Sequence, residues 1–160
     1  MQFISPYKLL FPERLDIACK YLFFREIQKQ TANNDVMDLY IKHIMKRTGG
    51  IEKVDKFVPD QPRKMCIDDY IKSAKDLFEK MSKHGFDNDY PIHYYEHGIS
   101  NGAHRLACSL VLQLETIPVK KVIPEKYVTW DEQWFIDNEF TTNEVDLLRN
   151  TKRKLMGRHT

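Results

Sequence analysis

The sequence of 160 residues has no long apolar run and little excess charge of either sign. No segment approaches the roughly 18 consecutive apolar residues that a membrane-spanning helix needs, so a membrane protein is excluded. The 25 basic and 23 acidic residues leave a formal net charge of only +2. Such a balance creates no overall field that favours nucleic acid. We therefore expect neither a membrane nor a nucleic-acid partner.

Cysteines and signals for export are also scarce. The three cysteines are an odd number without metal-type spacing, and Cys19 and Cys108 lie in apolar helical stretches. We interpret them as buried structural thiols in a reducing compartment. The first residues show no basic region followed by a long apolar one, which is the pattern of a secretory signal. The sequence therefore predicts a cytoplasmic protein.

Helical periodicity and capping signals predict an α+β fold in one domain spanning residues 1–160. A hairpin is expected where "PIHYY" precedes a turn at Glu96 to Gly98, and a strand where "TIPVKKV" follows at 116–122. Residues 51–64, with two prolines and several lysines, are expected to form a loop. Five helices are predicted. The first begins at Pro12–Glu13, and the next three run from Asp35 to Arg47, from Asp68 to Gly85 and from Ala103 to about Leu114. The last follows the Thr141-x-x-Glu144 capping box.

The segment "NGAHR", Asn101 to Arg105, has the composition of an anion site at a helix start. The first N–H groups of a helix lack intrahelical partners, and the helix dipole places partial positive charge there. Gly102 lets the backbone approach a ligand, and Ala103 keeps that approach open. Arg105 can bind phosphate oxygens with two hydrogen bonds, and His104 adds a donor. A plain capped helix whose His104 and Arg105 face water is the alternative.

The segment from Ile99 to Val119, "ISNGAHRLACSLVLQLETIPV", resembles the signature of the ParB/sulfiredoxin superfamily. In that signature a strand leads into a glycine and a His-Arg or Arg-Arg pair, then an apolar helix and a strand ending in a Pro-Val pattern. The resemblance implies a small mixed sheet packed with several helices. It also implies that the helix start at Asn101 to Arg105 holds the phosphates of a nucleotide.

The branches of this superfamily differ at the motif. Sulfiredoxins place a reactive cysteine where this chain has Ala103, and the partitioning proteins carry an Arg-Arg pair and a further DNA-binding domain. The free-serine kinase branch, with an Asp-Gly-His-His-Arg type motif, is the most similar. Asn101 replaces its aspartate and Ala103 its first histidine.

The kinase branch also resembles the beginning of this chain, where "KLLFPERLD" offers Glu13 and Asp16 as carboxylates. The resemblance implies that Glu13 is the catalytic base for an acceptor hydroxyl. The alternative is that Glu13 has no catalytic role and is simply an acidic residue of the kind favoured in the first turn of a helix. Lys20, one turn beyond Asp16, could reach a phosphate, although an ion pair with Asp16 is the preferred interpretation.

These patterns together predict a kinase that transfers phosphate from ATP or ADP to a small hydroxylated acceptor. Glu13, Asp16 and His104 are the candidate catalytic residues, and the nucleotide ligands are Asn101 to Arg105 together with Lys20. A weaker likeness of residues 12–24 to ParB-like proteins encoded among surface-polysaccharide genes implies a sugar or polyol acceptor, whereas the kinase branch implies an amino acid. A nucleotide-binding module or nucleic-acid regulator without turnover is the alternative function.

No metal held by the protein itself is predicted, because His84, His93 and His97 do not have a metal-binding spacing. Mg²⁺ is expected to arrive with the nucleotide. His43 is interpreted as a surface or hydrogen-bonded histidine. Trp130 and Trp134 are interpreted as core residues.

Overall fold

The computed structural model describes residues 1–31, 33–49, 64 and 66–158 of the chain. The elements follow one another as β1 (Gln2–Ile4), a 3₁₀ turn (Pro6–Leu9), α1 (Asp16–Lys29), α2 (Asn34–Thr48), α3 (Ile67–His84), β2 (Ile92–Tyr95), β3 (Gly98–Asn101), α4 (Ala103–Val111), β4 (Ile117–Lys121), α5 (Glu132–Asp137) and α6 (Thr142–Gly157). Mixed helices and strands of this kind confirm the α+β class. The loop expected at 51–64 lies outside the described residues, apart from Lys64.

The four strands form one mixed sheet in the order β1-β4-β2-β3. β2 and β3 pair antiparallel as the predicted hairpin, β1 pairs antiparallel with β4, and β4 runs parallel to β2. Parallel neighbours cannot be joined by a tight turn, and the chain passes from β2 to its parallel neighbour β4 through β3 and α4. The chain therefore passes from the hairpin directly into the start of α4, at the end of β3.

The core lies between the sheet and the helices, with α4 packed against α1. Apolar residues at helical spacing cover the inner face of α4, and Leu106, Ala107, Leu110 and Val111 are all buried. The side chains of β4 that precede its exposed end, Ile117 and Val119, are buried as well. This packing fixes α4 against the sheet and leaves its first turn at the surface.

Two predicted helix ends are confirmed by capping contacts, and a further cap, at Asn33, was not predicted. Gly85, with φ of 75°, follows the last residue of α3. Thr141 and Glu144 form the reciprocal capping box of α6. Asn33 caps α2 by accepting hydrogen bonds from two backbone N–H groups. Local capping chemistry therefore located these ends correctly.

The first helix begins later than predicted. Pro12 and Glu13 lie in a turn, and α1 starts at Asp16. Arg14 pairs with Trp130 in an isolated parallel bridge, in which the Trp130 N–H donates to the Glu13 carbonyl over 2.9 Å. This long-range pairing replaces the helical turn that local propensity favours here. Among the described residues, no helix is both long and apolar enough to cross a lipid bilayer.

The interpretation of His43 was wrong. The residue is fully buried, and its ring stacks on Phe135 with ring centroids 5.4 Å apart. Neither ring nitrogen has a hydrogen-bond partner among the described residues. Trp130 and Trp134 pack against the core but are only partly buried. Cys19 and Cys108 are buried as predicted, and burial raises the pKa of each thiol to about 12.

Candidate functional site at the start of helix α4

The start of α4 is built around Gly102, which precedes the helix with φ of 101°. This left-handed conformation is strained for any residue with a side chain. A Cβ at this position would also approach Ile92 Cγ1 to 3.0 Å and the Arg105 guanidinium to 3.1 Å. Because Gly102 has no side chain to cap the helix, the first N–H groups of α4 are left for other partners.

Two cavities flank this helix start and share the wall formed by Asn101 to His104. The larger cavity has a volume of about 400 Å³ and the smaller one about 190 Å³. Arg105 also lines the larger cavity, whose other walls come from Lys64, α3 and the segment before β2. The residues of these other walls are Lys64, Tyr70, Ser73, Ala74, Leu77, Lys80, Met81, Gly85, Phe86, Asp87 and Tyr90. The smaller cavity is completed by Arg14, Arg47, Ile99, Ser100, Val128 and Trp130.

Arg105 lies in the wall of the larger cavity. Its guanidinium donates a hydrogen bond to the Tyr90 carbonyl, and its Cζ is 6.0 Å from the centre of the Phe86 ring. Lys80 and Asp87 line the same cavity and form an ion pair of 3.2 Å. The cavity therefore combines cationic groups with aromatic and aliphatic surfaces.

Arg14 and Arg47 give the smaller cavity its positive charge. The Arg14 guanidinium binds both carboxylate oxygens of Asp16, over 2.8 and 2.9 Å, and donates to the Ile99 carbonyl. The Cζ atoms of Arg14 and Arg47 lie 5.1 and 5.5 Å from the centre of the Trp130 ring. The Nε atom of Arg47 is buried, and it has no hydrogen-bond partner among the described residues.

Asp16 and Lys20 form a buried ion pair behind the smaller cavity. Their charged atoms are 2.6 Å apart, and both residues are fully buried. Burial alone would raise the pKa of Asp16, but Lys20 and Arg14 outweigh it and hold this pKa well below its usual value. Burial lowers the pKa of Lys20 to about 8, against the opposing effect of Asp16. The ion-pair interpretation of Lys20 is confirmed, and Lys20 lines neither cavity.

The structure does not bring Glu13 to the helix start. Glu13 is absent from the walls of both cavities, and the charged group that it influences is Lys152 of α6. Its Oε2 atom is buried without a hydrogen-bond partner among the described residues. Asp16 has both oxygens engaged by Arg14 and Lys20. Neither of the two predicted catalytic carboxylates therefore lines a described cavity wall, and their catalytic role stays a prediction.

His104 lines both cavities, and its Nε2 atom is 2.8 Å from the hydroxyl of Tyr40 on α2. The two rings meet edge to face, with their centroids 6.0 Å apart. Burial, reinforced by the charges of Lys20 and Arg47, holds the pKa of His104 well below its usual value. The imidazole is therefore neutral near pH 7 and can act on a ligand through a hydrogen bond rather than as a cation.

The sequence interpretation missed the part that Arg14, Arg47 and Trp130 play in lining the smaller cavity, and the contact of Tyr40 with His104. Arg14 stands within the quoted "KLLFPERLD", between the two carboxylates that were singled out. Arg47 carries no local signal, because a basic residue in the last turn is an ordinary feature of any helix. Only the packing of α2 beside Trp130 brings Arg47 to the site.

No group of three or more histidine, cysteine, aspartate or glutamate residues that could hold a metal ion occurs in the described part of the chain. Of the described residues that line the larger cavity, Asp87 alone has a carboxylate, and it is paired with Lys80. Comparison of the chain with protein-family models, with curated proteins and with solved structures gives no match. The site is therefore interpreted from its own geometry.

Proposed function

We propose that this protein binds a nucleotide in the larger cavity, with its phosphates at the start of α4. The observation that carries the proposal is the position of Gly102 to Arg105 at the rim of a cavity of about 400 Å³. Unpartnered helix N–H groups and an arginine are suited to phosphate oxygens. The cavity volume falls within the range of roughly 300 to 1,000 Å³ that is typical of small-molecule sites.

The remaining walls of the larger cavity suit a nucleobase. Tyr70, Leu77 and Phe86 offer aromatic and aliphatic surfaces in the wall of the same cavity. Stacking of a base on an aromatic ring contributes roughly 1 to 3 kcal/mol in single-stranded nucleic-acid complexes, and it does not require a specific base. ATP or ADP is the nucleotide we propose, with Mg²⁺ carried by its phosphates because the described walls contain no group of metal ligands.

The order of elements also supports the assignment to a ParB/sulfiredoxin-like fold. A hairpin ends at Asn101, Gly102 follows, and α4 then leads into β4 with its Pro118-Val119 pair. This is the order that the resemblance implies. A cytoplasmic location is part of the same proposal.

Phosphoryl transfer to a small hydroxylated acceptor is a second candidate function. The adjacency of the two cavities favours it, because a donor in one and an acceptor in the other would meet at Asn101 to His104. In such a transfer the acceptor oxygen bonds to phosphorus, the bond to the leaving nucleotide breaks, and the hydroxyl proton passes to a base. Glu13 and Asp16 lie outside the cavity walls, so binding is the function that the geometry supports best.

A thermal-shift screen of ATP, ADP and CTP, each with and without Mg²⁺, tests the binding proposal. A ligand at about 100 times its dissociation constant adds roughly 2.7 kcal/mol to the free energy of unfolding. We expect a purine nucleotide to raise the melting temperature. The absence of a shift with every nucleotide would contradict the proposal.

Turnover separates the two candidates. If the chain is a kinase with Glu13 as its base, Glu13→Gln should lower turnover by about 100-fold to 10,000-fold and leave nucleotide affinity nearly unchanged. The assay is release of ADP or AMP in the presence of sugars, polyols and amino acids as acceptors. Nucleotide binding without release of ADP or AMP in the presence of any acceptor supports a nucleotide-binding module that does not catalyse transfer.

A further inference from the structure

Around the smaller cavity, the described residues supply more basic groups than acidic ones. Arg14, Lys20 and Arg47 converge on Trp130, with charged centres 5.1, 5.5 and 5.5 Å from its ring centroid. Asp16 is the acid that binds two of these three cations, because Arg14 and Lys20 share its oxygens. Arg47 forms no ion pair with any described residue.

Arg47 is therefore the one of these three cations that has no acidic partner among the described residues. Its Nε atom is buried, which removes water as an easy substitute, and no described group accepts its hydrogen bond. A buried donor left unpaired is unfavourable, and more so when it is charged. The same side chain lines the smaller cavity, so its guanidinium can bind an anion held there.

We propose that the smaller cavity is a second anion subsite, which binds the phosphate group of a small molecule held separately from the nucleotide. The inference rests on the proposed function in one respect, namely that the nucleotide occupies the larger cavity. Arg14 and Arg47 form one side of the subsite, and the backbone of Gly102 to His104 forms the other. The substrate class assigned to it is a phosphorylated small molecule.

The chemistry of the walls favours phosphate. Guanidinium groups bind phosphate oxygens with parallel hydrogen bonds, and a dianion balances more charge than a single carboxylate does. The Trp130 ring holds both arginines by cation–π contact, which limits their motion before the anion arrives. The volume of about 190 Å³ is less than half that of the neighbouring cavity, so the ligand that it accepts is small.

Inorganic phosphate is the probe, and backbone amide shifts in NMR spectra report where it binds. Val128 and Trp130 line only the smaller cavity, whereas Ser73 and Phe86 line only the larger one. We expect phosphate to shift the signals of Val128 and Trp130 in the free protein and again in the protein saturated with ATP. ATP alone should shift Ser73 and Phe86.

The matched variants are Arg47→Gln and Lys46→Gln, which each remove one positive charge from the end of α2. Lys46 pairs with Glu139 at the surface and lines neither cavity. We expect Arg47→Gln to weaken phosphate binding at least 10-fold and to change ATP affinity less than 2-fold. Lys46→Gln should change neither the phosphate affinity nor the ATP affinity. Arg47→Lys keeps the positive charge, so it should retain part of the phosphate affinity that Arg47→Gln loses. That result would show that the site is intact.

The outcomes distinguish this subsite from the proposed function. Phosphate shifts confined to Ser73 and Phe86, or no shifts at millimolar phosphate, overturn the subsite and leave nucleotide binding standing. Competition between phosphate and ATP, with Arg47→Gln weakening both equally, overturns it too, because one ligand then spans both cavities. Phosphate shifts at Val128 without any ATP binding support the anion subsite and contradict the proposed nucleotide site.

Discussion

Two charged regions lie side by side in this molecule and differ in where their partners come from. In the cluster of Arg14, Asp16 and Lys20, the groups are buried and bonded to one another. At the start of α4, Arg105 donates to a carbonyl, and the buried Nε atom of Arg47 nearby has no hydrogen-bond partner in the described ranges. Buried charges that pair within the protein serve the fold, whereas charges left without acids at a cavity are available for a ligand. Arg14 belongs to both regions.

The largest expected effect is on the buried cluster. Asp16→Asn removes the acid that Arg14 and Lys20 share, and it leaves these two buried cations without their ion-pair partner. Breaking a buried ion pair on one side costs about 3 to 5 kcal/mol. We expect a loss of this size in the free energy of unfolding, measured by urea denaturation.

The control for this variant is Asp146→Asn, which breaks a half-exposed ion pair with Arg149 on α6. An exposed pair contributes roughly 0 to 1 kcal/mol. An equal loss of stability in both variants would show that burial of the Asp16 cluster does not strengthen it.

A smaller effect is expected at the turn into α4. Gly102→Ala places a side chain at a φ of 101° and against Ile92, and we expect it to cost roughly 1 to 3 kcal/mol of stability. Gly157→Ala is the control, because a Cβ there meets nothing within 4 Å. Thermal unfolding of both variants measures the difference. A Gly102→Ala protein as stable as Gly157→Ala would contradict the strained, close-packed turn.

The buried histidines predict how stability changes with pH. Burial lowers the pKa of His43 and His104 in the folded protein, so below about pH 6.5 the unfolded chain binds more protons than the folded one. Stability should fall as the pH decreases, by about 1.4 kcal/mol per pH unit for each histidine. His43→Leu should remove one of the two contributions between pH 6.5 and 5, as measured by urea denaturation. An unchanged slope would show that His43 does not titrate on unfolding.

Much of the fold follows from local signals. Gly85, the Thr141 capping box and the turn before Gly98 each act through neighbouring residues, and the structure places these helix ends and the hairpin where the sequence indicates. The start of α1 could not be predicted in this way. Its position depends on the bridge between Arg14 and Trp130, which are more than a hundred residues apart in the chain.

The same distinction applies to the candidate site. Asn101 to Arg105 form one continuous segment, so its place at a cavity could be inferred from composition and order. The smaller cavity joins Arg14, Arg47 and Trp130 from three separate parts of the chain. No pattern of spacing connects them, and only the packing of α1 and α2 around Trp130 does so. Glu13 shows the converse, because its sequence position beside Asp16 does not bring it to a cavity.

The most direct test of the central claim is the affinity of ATP for the Arg105→Ala variant, measured by isothermal titration calorimetry. Hydrogen bonds to charged groups contribute about 1.5 to 3 kcal/mol, so we expect the affinity to fall by roughly 10-fold to 100-fold in a folded protein. Arg153→Ala, which removes an exposed arginine of α6, should leave the affinity unchanged. Equal ATP affinity in both variants and the unaltered protein would contradict a nucleotide site at the start of α4.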